Sequence, residues 1–134
     1  MPNLSITIGE LESIIDKSLE TNDFIVEEGT VDGWTYEKRK SGVIKLWCLV
    51  TCSYKGSNYL EGNVSLPFEN LSDLIGLTTI NMSSYSSGST ANNKTAKVYF
   101  SETGAAVFVH DKGTSFSSGN TESVALEVIG KWKS

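Results

Sequence analysis

Two strand-like runs around a tight turn constrain the fold of this chain most strongly. The hexapeptide WTYEKR, which begins at Trp34, alternates so that Trp, Tyr and Lys share one face of a strand and Thr, Glu and Arg share the other. Lys40-Ser41-Gly42 follows as a turn in which glycine can adopt a positive φ. Residues 43–54 then read as a second, longer strand. The sequence therefore predicts an antiparallel β-hairpin at this point.

Similar strand signals recur along the rest of the chain at intervals of about 8–12 residues. We predict strands at residues 24–27, 34–39, 43–54, 59–66, 78–85, 95–101, 105–110 and 123–132. The connections are polar, and the longest of them are 86–93 and 111–120. This spacing predicts a mainly β chain, an antiparallel β-sandwich of the jelly-roll type with one short N-terminal helix, and not an alternating α/β fold.

The helix is predicted near the N-terminus, over residues 7–20. Thr7 and Glu10 fit a capping box. An apolar stripe follows at three- and four-residue spacing: Ile8, Leu11, Ile15 and Leu19, with Ile14 beside it. A helix of this length is marginal alone in water, so it needs either its own sandwich or identical helices as a partner. We divide the chain into a helical stalk or oligomerisation segment, 1–22, and a β-sandwich domain, 23–134.

Two segments of the chain resemble the C-terminal domains of tail and baseplate proteins from phages and prophages of Gram-positive bacteria. In that family a Gly-Trp-x-Tyr-x-Lys hairpin is followed by Ser-Gly and a Trp, as in residues 33–47 here. Many members also end as this chain does, with VIGKWK at residues 128–133. The resemblance implies a virion tail protein assembled in the bacterial cytoplasm. It also implies a homotrimer that follows a helical stalk, with the stripe of Ile8, Leu11, Ile15 and Leu19 as the contact.

Composition and charge exclude several function classes. The chain carries a net charge of −5 and has no basic cluster larger than Lys38-Arg39-Lys40, so nucleic acid is not an expected partner. No apolar run is long enough to cross a membrane, and the N-terminus lacks the pattern of a signal peptide. We expect no membrane insertion and no cofactor.

The two cysteines, Cys48 and Cys52, fall on one predicted strand. Four residues of strand span about 13 Å, which is too far for a disulfide between them. The sequence also lacks the further Cys or His residues that a zinc site needs nearby. We therefore expect free, buried thiols and no metal.

Catalytic patterns are sparse. The single histidine, His110, precedes Asp111, but no nucleophile-elbow, His-Glu-x-x-His, P-loop or dinucleotide-binding pattern is present. Scattered carboxylates could form a glycosidase pair only if the fold brought two of them to the required separation. We predict no catalytic residue, and keep an enzyme that degrades cell-wall polysaccharide as a minor alternative.

Aromatic residues near polar loops point instead to a binding role. Exposed Tyr or Trp rings can cover the apolar face of a sugar while polar side chains bind its hydroxyls. The candidate ligand-binding residues are Tyr85, Asn92, His110, Asp111 and Phe116, with Tyr54, Tyr59 and Tyr99 as further aromatics. Trp34 and Trp47 are predicted to be structural, in the core or in cross-strand pairs, and Trp132 is predicted to pack the last strand.

These observations lead to one principal hypothesis and two alternatives. The principal hypothesis is a non-catalytic domain of a phage tail tip, baseplate or fibre that attaches to a host cell-surface saccharide and contacts other tail or baseplate proteins. The first alternative is a purely structural trimerisation or baseplate-assembly module. The second is the polysaccharide-degrading enzyme named above.

Overall fold

Eight antiparallel strands and one helix make up the described part of the chain. The computed structural model describes residues 7–81 and 94–133, and the side chains of residues 15–21 and 81 lie outside that description. The elements are α1 (Ile8–Thr21), β1 (Ile25–Val31), β2 (Trp34–Arg39), β3 (Val43–Gly56), β4 (Tyr59–Ser65), β5 (Ser72–Asn81), β6 (Lys94–Phe100), β7 (Gly104–Asp111) and β8 (Thr121–Lys131). The prediction of a mainly β, antiparallel fold with one short helix is confirmed.

The long strand β3 organises the sheet. Along one edge it pairs with β8 over its length, from Val43 opposite Lys131 to Ser53 opposite Thr121. Along the other edge its first half pairs with β2 and its second half with β4. Strands β1 and β5 continue the sheet beyond β2 and β8, whereas β7 and β6 continue it beyond β4. β3 therefore belongs to two layers, β1-β2-β3-β8-β5 and β3-β4-β7-β6.

The two free ends of the sheet, β5 and β6, approach each other across the molecule. A Cβ atom added to Gly76 would lie 2.4 Å from Cγ1 of Val98, so only glycine permits this approach. Beside it, the hydroxyl of Thr78 donates to the carbonyl of Ala96 at 3.2 Å. The sheet thus curls on itself, and its two layers face each other across the core.

The core lies between the two layers and follows the two-residue period of the strands. In β7, for example, residues 105, 107, 109 and 111 are buried, whereas the residues between them reach the outer surface. The largest fully buried side chains are Trp34, Ile44, Leu46, Leu60, Leu126, Val50, Val107, Val109, Val124, Val128 and Cys52. Each large aliphatic side chain buried in this way contributes about 1.5–3 kcal/mol to folding.

The first hairpin differs from the prediction. Residues 28–33 fall between two predicted strands, but β1 runs to Val31 and turns through Asp32 and Gly33, which have φ of 50° and 83°. Two successive positive φ values fit the tight turn that Asp-Gly favours between strands. Gly29 lies within β1, opposite Tyr36 of β2. The ring of Tyr36 covers it, and a Cβ atom added to Gly29 would lie 3.3 Å from the Tyr36 hydroxyl oxygen.

Strand β5 also begins earlier than predicted. The sequence suggested a strand from residue 78, but β5 starts at Ser72 and pairs with β8 from there. The register shifts between Ser72 and Ile75, where Asp73 has a φ of 52°. This irregularity interrupts the two-residue alternation, so the pattern in the sequence does not show one continuous strand.

The N-terminal helix has the predicted cap but does not pack on the sheet through its described side chains. The amide of Glu10 donates to the hydroxyl of Thr7 at 3.1 Å, which confirms the N-cap. Ile8, Leu11 and Ile14 are 79%, 50% and 58% exposed. Ile15 and Leu19, the other members of the predicted stripe, lie on α1, but their side chains fall outside the description.

Candidate functional site

The predicted ligand-binding residue Asp111 is buried and holds a loop in place. Its side-chain oxygens accept hydrogen bonds from the amides of Gly113 and Ser115, at 2.8 and 3.1 Å, and from the Ser115 hydroxyl. The ammonium of Lys94 lies 3.3 Å away, and both side chains are almost fully buried. Burial raises the pKa of Asp111, but the hydrogen bonds from Ser115 and Gly113 and the contact with Lys94 outweigh it and lower the pKa to about 2. Asp111 is therefore part of the scaffold.

Phe116 belongs to the same scaffold. Its side chain is buried, its amide donates to the carbonyl of Ser57 at 3.0 Å, and the Lys94 ammonium lies 5.2 Å from the centre of its ring. The loop after β7 is thereby fixed to the turn between β3 and β4. The remaining loop candidates, Tyr85 and Asn92, lie outside the described residues.

His110 is the described member of the candidate set that reaches the surface, and it lies in a row of rings. Tyr59 of β4 is directly opposite His110 of β7, and their ring centres are 6.2 Å apart with planes inclined by 27°. Phe108, two residues before His110, is 6.2 Å from His110 and 6.4 Å from Tyr59. We name these three residues the aromatic platform. It lies on the outer face of the β4-β7-β6 layer, and each ring is partly exposed.

Polar side chains border the platform on the same face. Glu61 of β4 and Lys97 of β6 are the cross-strand partners of Phe108. The amide nitrogen of Asn63 lies 3.4 Å from a carboxylate oxygen of Glu61, and Tyr99 of β6, which is 70% exposed, extends the aromatic surface. Hydrogen-bond donors and acceptors therefore surround flat rings on an open surface.

The sequence identified the residues of the aromatic platform only in part. His110, Tyr59 and Tyr99 were named as candidates, but nothing in a single strand shows that Tyr59 lies opposite His110. Phe108 was missed because residues 105–109 are all apolar and the segment 105–110 therefore reads as a central strand. The register between β4 and β7, which is a long-range property, brings the rings together.

The outer face of the other layer is chemically different. Trp47 and Leu49 of β3 and Ile75 and Leu77 of β5 are 36%, 67%, 64% and 54% exposed. We name these four residues the apolar face. A groove of about 790 Å³ lies on this side of the layer, and Trp47, Leu49 and Leu77 line it together with Lys45 and Glu127. Of the two structural positions predicted for Trp47, the structure shows the cross-strand pair: Trp47 faces outward opposite Thr35 and Glu127, because odd-numbered residues of β3 point outward and the even-numbered Ile44 and Leu46 fill the interior.

Charged groups at the apolar face are paired with each other. Lys45 lies 3.0 Å from Glu127, which is opposite Trp47 on β8. Arg39 lies 3.6 Å from Glu37, and Lys131 lies 3.1 Å from Asp73 at the end of β5. These three exposed or partly exposed pairs contribute little stability, but they leave the face locally neutral.

The hairpin of β2 and β3, which carries part of the family resemblance and is called the signature hairpin below, is structural. Trp34 is 1% exposed, and its indole nitrogen donates to the carbonyl of Ser65 at 2.8 Å. The Lys38 ammonium lies 3.0 Å from a Glu27 carboxylate oxygen and 4.3 Å from the centre of the Phe68 ring. The ion pair with Lys38 lowers the pKa of Glu27. These aromatic and basic side chains therefore stabilise the hairpin.

The described ranges offer neither a metal site nor a helix that could span a membrane. Residues 7–81 and 94–133 contain no group of three or more His, Cys, Asp or Glu side chains arranged to hold a metal ion. Their one helix is too short and too polar to traverse a bilayer. Both cysteines are free, as predicted, with Cys52 buried and Cys48 partly buried.

Comparison with known proteins supports the fold. No protein-family model and no curated protein matches the sequence. An N-truncated R1-type pyocin tail fibre is similar with a TM-score of 0.50 and 13% identity, over 96% of this chain and 98% of that one. The C-terminal residues 323–701 of the P. aeruginosa R1 pyocin fibre give a TM-score of 0.48 and 14% identity, over 94% of this chain and 31% of that one. The first likeness shows that this chain has the fold of a pyocin tail-fibre domain.

Proposed function

We propose that this chain is a non-catalytic domain of a phage-tail-type fibre, tip or baseplate that attaches to a host cell-surface saccharide. The aromatic platform carries the proposal, because it combines open rings with bordering polar groups. The fold likeness to the R1-type pyocin tail fibre supports the assignment to a tail structure. In this proposal the protein resides in the virion tail, is assembled in the bacterial cytoplasm, and contacts other tail or baseplate proteins.

Binding on the platform would use two kinds of contact. The rings of Tyr59 and Phe108 cover the apolar face of a sugar ring, which removes apolar area from water. His110, Glu61 and Lys97 bind hydroxyl groups around it. An open face excludes little water, so each site is weak, and display of several copies in a homotrimer or a larger tail raises the overall affinity.

The test is saccharide binding by platform variants. The wild-type protein is applied to an array of bacterial surface saccharides, and its affinity for purified wall polysaccharide is measured by calorimetry. We expect Tyr59→Ala with His110→Ala to lower the affinity at least tenfold. Tyr54→Ala is the matched control, since Tyr54 lies opposite the inward-facing Leu60 and its partly exposed ring is directed away from the platform. Undiminished binding by a well-folded double variant would contradict the platform as the site.

A purely structural assembly module is the second candidate, and the exposed apolar face favours it. The saccharide array distinguishes the two functions. If the chain is a structural module, the folded wild-type protein binds no saccharide on the array. Degradation of the saccharide is tested in the same samples by release of reducing ends, and we expect none.

A further inference from the structure

We propose that the ligand of this domain is an oligosaccharide of several sugars, which extends from the aromatic platform into a second subsite on the same face. The second subsite is formed by Asn63, Ser65, Tyr99 and Ala106. This inference rests on the proposed function, because it assigns a further contact and a minimum length to the saccharide. A single sugar on the platform would satisfy the proposed function without it, so the two can be tested apart.

The second subsite directly continues the platform along β7. Phe108 and Ala106 are two residues apart in this strand, so their side chains lie on the same outer face. Ala106 is opposite Asn63 of β4 on one side and Tyr99 of β6 on the other. The two neighbouring strands therefore border one path that begins at the platform and continues past Ala106.

A depression marks this part of the face. On its outer side β7 contributes only Gly104 and Ala106 here, whereas the flanking strands contribute the larger side chains of Asn63 and Tyr99. The resulting depression has a volume of about 380 Å³. Small residues at such positions allow a ligand to approach the strand closely.

The residues that line the depression select a neutral, hydroxyl-rich ligand. Tyr99 is 70% exposed and offers a flat ring, as the platform does. The hydroxyls of Ser65 and Thr103 and the side-chain amide of Asn63 supply hydrogen-bond donors and acceptors. None of the described residues that line the depression is charged, so an ionic group of a ligand would find no partner there. A sugar ring, with an apolar face and hydroxyls at its edge, fits this combination.

The separation of the two subsites sets the length of the ligand. Gly104 and His110 stand at opposite ends of β7, which are separated by about 20 Å of strand. Between these ends, Glu61 and Lys97 flank Phe108. One sugar ring is too small to contact both ends, whereas a chain of several sugars along β7 contacts the platform, the two charged groups and the depression in turn. Each contact is weak, but the first holds the chain beside the second, which raises the overall affinity.

The experiment measures affinity as a function of saccharide length. The purified wall polysaccharide that the full-length wild-type protein binds is cut by mild acid hydrolysis and separated by size, from single sugars to short chains. Calorimetry then gives the affinity of the protein for each fraction. We expect the longest fragments to bind about tenfold more tightly than single sugars, because only the longer fragments reach both subsites.

Two variants test whether the added affinity arises at the second subsite. Tyr99→Ala removes the exposed ring, and Ala106→Leu fills the depression. Each is expected to lower the affinity for the longest fragments about fivefold and to leave the affinity for single sugars unchanged. Leu49→Ala is the matched control, since it removes a side chain of similar exposure, 67% against 70% for Tyr99, from the opposite layer. Circular dichroism verifies that each variant is folded.

Two results would overturn this inference while the proposed function stands. One is equal affinity of the wild type for single sugars and for chains. The other is a gain in affinity with length that persists unchanged in both variants, as bridging between copies would produce. A wild-type protein that binds no polysaccharide would instead contradict the proposed function, and this inference with it.

If a variant does not fold, hydroxyl-radical oxidation of the wild-type protein replaces it. Tyr99 should be protected from oxidation by the longest fragments and not by single sugars. Equal oxidation of Tyr99 in the two samples would equally refute the second subsite.

Discussion

The indole nitrogen of Trp132 donates a hydrogen bond to the backbone carbonyl of Arg39 at 3.0 Å. The backbone amide of Trp132 also donates to the carbonyl of Gly42 at 2.9 Å, and the Lys38 ammonium lies 5.3 Å from the Trp132 ring centre. The end of the last strand is thereby joined to the turn of the signature hairpin. The two segments that carry the family resemblance, far apart in the chain, form one structural unit.

This contact predicts a graded loss of stability at Trp132. Trp132→Phe keeps an aromatic ring but removes the hydrogen bond to Arg39, so it should lower the free energy of unfolding by about 1 kcal/mol. Trp132→Ala also removes the ring and should cost about 3 kcal/mol. Urea unfolding measures both, with Lys55→Ala, at an exposed position, as the control. Equal losses for the Phe and Ala variants would show that the hydrogen bond contributes all of the effect and the ring none.

Trp34 and Trp47, the two tryptophans of the β2–β3 hairpin, should differ in their contribution to stability. Trp34 is 1% exposed, so Trp34→Ala should lower the free energy of unfolding by about 3–5 kcal/mol. Trp47 is 36% exposed on the outer face, so Trp47→Ala should cost about 1 kcal/mol in the single chain.

Chemical denaturation at low protein concentration measures the cost of Trp47→Ala in the single chain, because any contribution of Trp47 to contacts between copies then disappears. Trp47→Phe is the control for the loss of aromatic area. A cost at Trp47 as large as that at Trp34 would be inconsistent with an outward-facing side chain.

The Asp111–Lys94 pair predicts a loss of stability in acid. The folded-state pKa of Asp111 is about 2, below the ordinary value of 3.8, so the unfolded chain takes up this proton first as the pH falls. The contribution of Asp111, about 2 kcal/mol, is complete above about pH 4 and is lost as the pH falls through about 2.

Asp111→Asn tests this assignment. At neutral pH it should lower the free energy of unfolding by about 3 kcal/mol, because it breaks a buried ion pair and weakens the bonds to Gly113 and Ser115. Its stability should also vary less with pH than that of the wild type over the acid range. Parallel pH profiles for the two proteins would assign the acid sensitivity to other carboxylates.

Thiol reactivity should follow burial. Burial raises the pKa of both Cys48 and Cys52 to about 11, so the folded protein holds them as thiols at neutral pH. Cys52 is 0% exposed and its thiol lies 3.5 Å from the carbonyl of Val107. An aromatic disulfide reagent at about pH 8 should label neither cysteine quickly in the native protein, and both in denaturant.

The order of labelling provides a finer check. Cys48 is partly buried and should react before Cys52. Cys48→Ser identifies the slower thiol directly. Rapid native labelling of Cys52 would mean that β3 opens locally far more often than a central strand should.

Alternation in the sequence was sufficient to identify most strands, because a strand between core and solvent must repeat every two residues. β2 has the predicted bounds, and Lys40-Ser41-Gly42 is the turn that follows it, with Gly42 at a φ of 98°. Asp32-Gly33 is also a hairpin signal in the sequence, and these two residues form the turn between β1 and β2. These features are local, so nearby residues suffice to predict them.

The assignment of faces to a function depended on the tertiary structure. The sequence placed Trp47 and Leu49 on the same side of one strand, but it did not reveal that Ile75 and Leu77 lie on the same outer face beyond β8, which depends on both β3 and β5 pairing with β8. Likewise, the pairing of β4 with β7 aligns Tyr59 with His110. The sequence alone thus determined a β-rich chain with a capped helix and a structural hairpin motif. Only the pairing of distant strands decided which aromatic and aliphatic side chains share a surface, because register is a property of two strands together and neither strand encodes it alone.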